Sequence, residues 1–209
     1  MSLGGRGKDE PMNAARFLLL GCGVLRKEIL RLIEKNGWPL DTLFLDSVLH
    51  CELAKLAYSL QSALVAHRDR DIIVFYGCCH PQMESMLEEA GALRTDGQNC
   101  LDMLLGHDVF LTETENGAFF LLEEWARHWP RVVSSSLGTN RIEVIREIFQ
   151  TDRKYILGLR TPCSGDFAAE AEAAAQMVDL PLRWKDVGLD NLETVLQAAV
   201  AQRTRSLHV

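Results

Sequence analysis

Residues 71–81 have the sequence DIIVFYGCCHP, in which an apolar strand signal runs directly into a turn. The stretch from Asp71 to Tyr76 is a predicted strand with apolar residues at the consecutive positions Ile72 to Phe75, so both of its faces are predicted to be buried. Such strands are typical of parallel sheets that carry helices on both faces. Pro81 suits the first turn of a helix, which we predict over Gln82 to Ala90.

Short apolar runs and amphipathic stretches continue to alternate on both sides of this strand, which predicts βαβ units. Further strands are predicted at residues 17–21, 42–45, 93–95, 155–159 and 182–186. Further helices are predicted at residues 24–35, 52–67, 99–105, 119–129, 141–149, 167–178 and 191–202.

The predicted architecture is a three-layer, Rossmann-like α/β domain with a mainly parallel sheet and helices on both faces. One continuous sheet is favoured. The domain is predicted to span residues 14–209, after a disordered tail or expression remnant at residues 1–13. Because the βα pattern restarts near residue 151, a second lobe from there is the alternative.

The composition argues against two kinds of partner. A net charge of −7 over 209 residues offers no basic stripe for nucleic acid. No apolar run approaches the roughly 20 residues that a bilayer span requires. We therefore predict a cytoplasmic protein, in which six cysteines serve as thiols or metal ligands rather than disulfides.

The cysteines follow the predicted strands. Because the carboxyl ends of parallel strands meet at one edge of a sheet, residues far apart in sequence can converge there. The positions that follow strands are Cys22, Cys51, Cys78, Cys79, Cys100 and Cys163. The alternative interpretation is that they fill space in the core, since free cysteine is often buried and the chain has no CxxC pair.

Thiolates bind soft or borderline metals such as zinc and iron. We predict that Cys22, Cys79 and Cys100 converge on a zinc ion or an iron–sulfur cluster. His50 or Cys163 would supply a fourth ligand. The resulting hypothesis is a metal-thiolate protein, and it names no catalytic residue.

Two other functions stay open. One is a small-molecule enzyme that uses a cysteine nucleophile or a metal-bound water. The other is a nucleotide or S-adenosylmethionine binder with structural cysteines. The sequence Gly21-Cys22-Gly23 could begin a dinucleotide loop, but Arg26 stands where the fingerprint needs a third glycine.

Several short motifs together resemble the DUF1638 family of uncharacterised proteins over roughly residues 17–129. They are GCGVL with Glu28-Ile29, Leu45-Asp46 with Leu49-His50, Tyr76-Gly77 with Cys79, and Asn99-Cys100 with Leu105-Gly106. The chain departs from the family pattern at the flanks of the cysteines. His80-Pro81 follows Cys79 in place of a small residue, and Asn99 stands where some members carry His-Asp.

The resemblance implies that Cys22, Cys79 and Cys100 are the family's cysteines, with His50 in its Leu-His pair. It also implies a setting in anaerobic bacteria and methanogenic archaea, alongside corrinoid-dependent methyltransferase systems. The expected role is an accessory factor of corrinoid-dependent methyl transfer or one-carbon metabolism. The expected partner is a small molecule or a protein of the corrinoid system.

The predicted helix at residues 119–129 is unusually apolar. Trp125, Trp129 and the run Phe119 to Leu122 exceed what one helix face needs to bury. Because patches of this kind often mark subunit contacts, we expect a homo-oligomer.

Overall fold

A computed structural model describes residues 17–206, so the predicted tail at residues 1–13 lies outside the described residues. The amino-terminal part forms a four-stranded parallel sheet with the order β2-β1-β3-β4. Its strands are β1 (Phe17–Cys22), β2 (Leu40–Leu45), β3 (Ile72–Phe75) and β4 (Leu93–Arg94). The two central strands, β1 and β3, are buried along their whole length, as the strand signal at residues 71–76 predicts.

The connections in this part are helical. Two 3-10 helices, Gly23–Leu25 and Ser47–Cys51, follow the first two strands directly. The α-helices are α1 (Arg26–Asn36), α2 (Leu53–Ala66), α3 (Met83–Glu89), α4 (Cys100–Leu105) and α5 (His107–Glu115). Parallel strands joined by helices confirm the predicted α/β, Rossmann-like fold class.

The carboxyl-terminal part forms a second parallel sheet with the order β5-β6-β7. Its strands are β5 (Ala118–Leu121), β6 (Tyr155–Arg160) and β7 (Leu182–Asp186). Its helices are α6 (Glu123–Arg127), α7 (Trp129–Leu137), α8 (Ile142–Asp152) and α9 (Ala168–Val178). The last helix, α10 (Asp190–Ser206), packs against α4, β3 and β4 of the amino-terminal part. The prediction of one continuous sheet is therefore wrong, and the second sheet begins at Ala118 rather than near residue 151.

The predicted helix at residues 119–129 is also wrong. Ala118–Leu121 is a strand that pairs in parallel with Tyr155–Gly158, and helix α6 begins only at Glu123. A short apolar run suits a doubly buried strand as well as a buried helix, so periodicity could not separate the two. Hydrogen-bonded pairing with β6 is what makes Ala118–Leu121 a strand rather than part of a helix.

The aromatic residues of this segment pack inside the chain. Trp129 is 2% exposed and meets the rings of Phe119 and Phe149 edge-on, at centroid distances of 5.4 and 5.7 Å. Trp125 is also buried and stacks on His50 at 4.7 Å. These residues therefore form core rather than an exposed patch, and the homo-oligomer stays a prediction without support from them.

Helix α1 connects the two sheets. The Glu28 carboxylate, buried within α1, accepts a hydrogen bond of 2.6 Å from Thr161 Oγ1 beyond β6. Lys27 forms an ion pair of 2.8 Å with Glu123, and Arg31 donates to the Pro162 carbonyl at 3.1 Å. The carboxyl ends of strands from both sheets thus face a common cleft. Within residues 17–206, no helix combines the length and apolar character needed to cross a bilayer.

Candidate functional site

A small cavity of about 120 Å³ lies at the carboxyl edge of the first sheet. Side chains from separate elements line it, and they include Cys22, His50, Tyr76, Cys79, Cys100 and Trp125. The volume resembles the roughly 150 Å³ of an engineered apolar cavity that binds benzene or xenon. It lies below the roughly 300–1,000 Å³ of most organic ligand sites. The cavity therefore suits a metal ion, a small cluster or a very small molecule.

Two loops approach closely to bring Cys79 and Cys100 to this cavity. The Cys78 N–H donates to the Gln98 carbonyl at 2.8 Å, which joins the loop after β3 to the segment before α4. A Cβ atom at Gly77 would lie 2.0 Å from that carbonyl oxygen and 2.5 Å from the Asn99 Cα. Only glycine permits this approach.

Asn99 defines where helix α4 begins. Its Oδ1 accepts hydrogen bonds of 3.0 Å from the N–H groups of Leu101 and Asp102, as an N-cap residue does. Cys100 is therefore the first residue of the helix. The Asp102 carboxylate in turn accepts from the Gln98 N–H at 2.8 Å, which stabilises the loop that Gly77 contacts.

The three cavity cysteines are neutral thiols at neutral pH. Burial raises the pKa of Cys22 to about 12, and negative charge on Cys79 would raise it further. Burial also raises the pKa of Cys100 well above its usual range, with added contributions from Cys22 and Cys79. Burial is also the main reason that the pKa of Cys79 is raised. Each thiolate would therefore disfavour the others unless a cation joined them.

Two buried donors at the cavity have no hydrogen-bond partner among the described residues. They are the Tyr76 hydroxyl and the Trp125 indole N–H. Burial, followed by the charges of the neighbouring cysteines, raises the pKa of Tyr76, so its hydroxyl keeps its proton. Buried polar groups in proteins are nearly always paired, so these two unpaired donors are exceptions among the described residues.

His50 lines the cavity, but both of its ring nitrogens have partners. Nδ1 lies 2.8 Å from the Ser47 carbonyl oxygen, so Nδ1 carries the proton that this hydrogen bond requires. Nε2 lies 3.3 Å from Cys51 Sγ. Cys51 Sγ also lies 2.9 Å from the Ser136 hydroxyl of helix α7. The sequence prediction named His50 as a metal ligand and did not include Cys51 in the site.

Cys163 lies apart from the other predicted ligands. It follows β6 of the second sheet, and its N–H donates to Thr161 Oγ1 at 3.1 Å. It is not among the residues that line the 120 Å³ cavity. Burial raises its pKa first, followed by the charge of Glu28, and hydrogen bonding to Arg31 opposes the shift. The structure thus brings together Cys22, His50, Cys79 and Cys100 but not Cys163.

The side chains of the cavity do not already form a metal-binding set. Within residues 17–206, no three His, Cys, Asp or Glu side chains lie in an arrangement that could hold a metal ion. Cysteine binds a metal as a thiolate. Without a metal the three thiols are neutral, so no electrostatic attraction brings their sulfurs to the distances of metal ligands. The donor chemistry of three sulfurs suits zinc or iron, whereas their side-chain arrangement would have to adjust on binding.

A larger cleft of about 530 Å³ lies between the two sheets. Residues that follow four different strands line it, namely Gly23, Asp46, Leu122 and Ser164. Ion pairs cross the cleft, including Lys27 with Glu123 and Arg131 with Asp46, each at 2.8 Å. Its volume falls in the range of small organic ligand sites, and ligands of open parallel sheets bind at this edge.

The sequence matches the family model described as "Protein of unknown function (DUF1638)" over residues 44–196. The match covers more than half of the 209 residues, and the chain belongs to this family, as its motifs predict. The matched region starts and ends later than the resemblance over residues 17–129. It includes Cys51 and Cys163 and leaves out Cys22. No curated protein and no solved structure matches the chain.

Proposed function

We propose that this DUF1638 protein is a metal-thiolate protein whose ligands are Cys22, Cys79 and Cys100. The observation that supports the proposal most directly is that these three cysteines, from β1, the loop after β3 and the start of α4, line one cavity. A cation would remove the cost of placing several thiolates together in an apolar site. Zinc or an iron–sulfur cluster is the proposed occupant, because thiolates select both.

Three protein ligands leave an open position, which is the arrangement of catalytic rather than structural zinc sites. His50 is not a ligand in this proposal, because its Nε2 contacts Cys51 Sγ. The open position would be filled by a ligand from outside the protein. The Tyr76 hydroxyl and the Trp125 indole N–H, both without partners among the described residues, are donors that such a ligand could accept from. This supports a site that binds a small molecule at a metal rather than a purely structural site.

The proposed setting is the cytoplasm, in a role as an accessory factor of corrinoid-dependent methyl transfer or one-carbon metabolism. A reducing compartment fits the free state of all six cysteines among the described residues. The family resemblance supports the corrinoid setting. The 530 Å³ cleft beside the first strands supports a small-molecule partner, and a protein of the corrinoid system is the alternative partner.

Replacing Cys79 with serine is expected to abolish most metal binding, because serine removes one of three sulfurs from the cavity. The measurement is elemental analysis and visible absorption of protein purified without oxygen. Wild type should carry about one zinc ion or one cluster per chain. The matched control is Cys78→Ser, which changes the neighbouring exposed cysteine and should leave the metal content unchanged. Equal metal content in both variants would mean that the cavity cysteines are packing residues.

A further inference from the structure

Cys51, His50 and Ser136 form a cluster of nucleophilic and titratable groups that the metal proposal does not use. We infer that Cys51 is the nucleophile of a second site, with His50 as its base, and that it reacts with small electrophiles by displacement at carbon or sulfur. Cys51 is half-buried, as Cys79 and Cys100 are, whereas Cys22 is buried. Cys51 lies on the short 3-10 helix after β2. A reagent can therefore reach this sulfur.

The hydrogen bonds of His50 give its ring the tautomer that a base needs. Nδ1–H donates to the Ser47 carbonyl, so Nε2 keeps a free lone pair toward Cys51 Sγ, 3.3 Å away. Stacking on Trp125 at 4.7 Å holds the ring in this orientation. A nucleophile, a base and a group that orients the base are the elements of an activated cysteine.

The reaction balances without a further oxidant or reductant. The Cys51 S–H proton passes to His50 Nε2, and the sulfur lone pair attacks the electrophilic atom. A sulfur–carbon bond forms while the bond from that carbon to the leaving group breaks, and the leaving group departs with the electron pair. With a disulfide, a new sulfur–sulfur bond forms and a thiolate leaves instead.

Ser136 can stabilise the thiolate that results. Its hydroxyl has one proton and two acceptors within reach, the Val132 carbonyl at 2.8 Å and Cys51 Sγ at 2.9 Å. When Cys51 is a thiol whose S–H group points to His50 Nε2, the Ser136 hydroxyl can donate to the Val132 carbonyl. When Cys51 is a thiolate, the hydroxyl can donate to sulfur without any movement of the backbone.

The protonation of the pair is consistent with this geometry. Burial acts to raise the pKa of Cys51, but the hydrogen bonds to His50 and Ser136 outweigh it, and the pKa lies below its usual value. For His50, burial acts to lower the pKa, but contact with Cys51 and the Ser47 carbonyl outweighs it, and the pKa is raised. The thiolate–imidazolium pair is therefore favoured at lower pH than for an isolated cysteine.

The charged groups around the pair are largely paired themselves. Glu52, the next residue, opposes ionisation of Cys51 and is held by Lys55 of α2. The other neighbours belong to helices α6 and α7 and to the start of the 3-10 helix. They are the ion pair of Asp46 with Arg131 at 2.8 Å and the contact of Glu124 Oε1 with His128 Nε2 at 3.5 Å. Burial is the largest influence on the pKa of Cys51, and the contacts with His50 and Ser136 together outweigh both burial and the charge of Glu52.

The test is the rate at which iodoacetamide alkylates each cysteine of the folded, reduced protein, read by mass spectrometry of its peptides. Cys78, which is exposed, serves as the reference within the same molecule. Near pH 6, Cys51 is expected to react at least about tenfold faster than Cys78 although it is less exposed. A parallel experiment with glutathione disulfide distinguishes displacement at sulfur from displacement at carbon.

The variant His50→Asn keeps a donor for the Ser47 carbonyl and removes Nε2. It is expected to reduce the Cys51 rate near pH 6 to that of Cys78, and Ser136→Ala should reduce it in part. If His50→Asn fails to fold, the pH profile of wild type decides the matter, because the ratio of the Cys51 rate to the Cys78 rate should rise as pH falls from about 8 to about 6. A ratio that stays constant with pH, or a fast rate that survives in His50→Asn, would overturn the inference. The metal content of the Cys79→Ser protein is independent of either result.

Discussion

Replacing Gly77 with alanine is expected to lower the free energy of unfolding by about 3–5 kcal/mol, which is among the largest effects of a single substitution. The new Cβ would lie 2.0 Å from the Gln98 carbonyl oxygen, 2.4 Å from its carbon and 2.5 Å from the Asn99 Cα. All three atoms belong to the backbone, so no side chain can rotate to relieve the overlap. The loop after β3 would have to separate from the segment before α4.

Gly91→Ala is the matched control for this measurement. Gly91 ends helix α3 with a φ of 60°, and an added Cβ would meet no atom within 4 Å. Alanine there is strained only by the left-handed backbone, at a cost of about 1–2 kcal/mol. Urea unfolding of both variants compares a steric overlap with a conformational cost. A Gly77→Ala protein no less stable than Gly91→Ala would show that the two loops are free to separate.

The same loop contact explains how far the cavity could be predicted from the sequence. Parallel strands end at one edge, and this rule alone brings Cys22 and His50 near the residues that follow β3. The sequence could also place Cys100 after the weak strand at residues 93–95. The contact between Gly77 and Gln98, which brings Cys79 and Cys100 to one cavity, depends on backbone geometry that no residue pattern encodes.

Two errors, the single continuous sheet and the position of Cys163, share one physical origin, which is the ambiguity of the apolar run Phe119 to Leu122. As a helix it would have left the later strands free to extend the first sheet, so Cys163 was expected at the same edge as the other cysteines. As strand β5 it begins a second sheet, and Cys163 then follows β6 of that sheet. Tertiary pairing, rather than local periodicity, determines such short runs.

The sequence places His50 beside Cys51 at a strand end, where the histidine could be a ligand or a general base, but it does not predict the contact between their side chains. Neighbouring residues point in different directions on regular elements, so adjacency in sequence does not predict side-chain contact. The tight 3-10 helix at Ser47–Cys51 brings His50 Nε2 to 3.3 Å from Cys51 Sγ. The only sequence signal was the occurrence of a histidine and a cysteine side by side in the loop after a strand.

The protein is expected to lose stability steeply above pH 9 because of Cys22. Burial raises the pKa of this thiol from an ordinary value of 9.0 to about 12 in the folded state. Between these values the unfolded chain has released the proton while the folded chain still holds it, so rising pH favours unfolding. The stabilising contribution is complete below pH 9. It falls by about 1.4 kcal/mol per pH unit, for a total of about 4 kcal/mol near pH 12.

Cys22→Ala removes this contribution, because alanine cannot ionise. It also removes the smaller effect that a Cys22 thiolate has on the pKa of Cys100 and of Tyr76, whose pKa values are raised first by burial. Near pH 8 the alanine variant should be the less stable of the two, since it leaves a small space beside a core strand. As the pH rises toward 11, the free energy of unfolding should fall faster for wild type than for the alanine variant. The difference in stability between the two proteins should therefore shrink or change sign. The measurement is urea unfolding of metal-free protein at a series of pH values. A stability difference that does not change with pH would mean that Cys22 ionises as easily in the folded state as in the unfolded chain. In that case the argument that a cation must compensate the cavity thiolates would lose its basis.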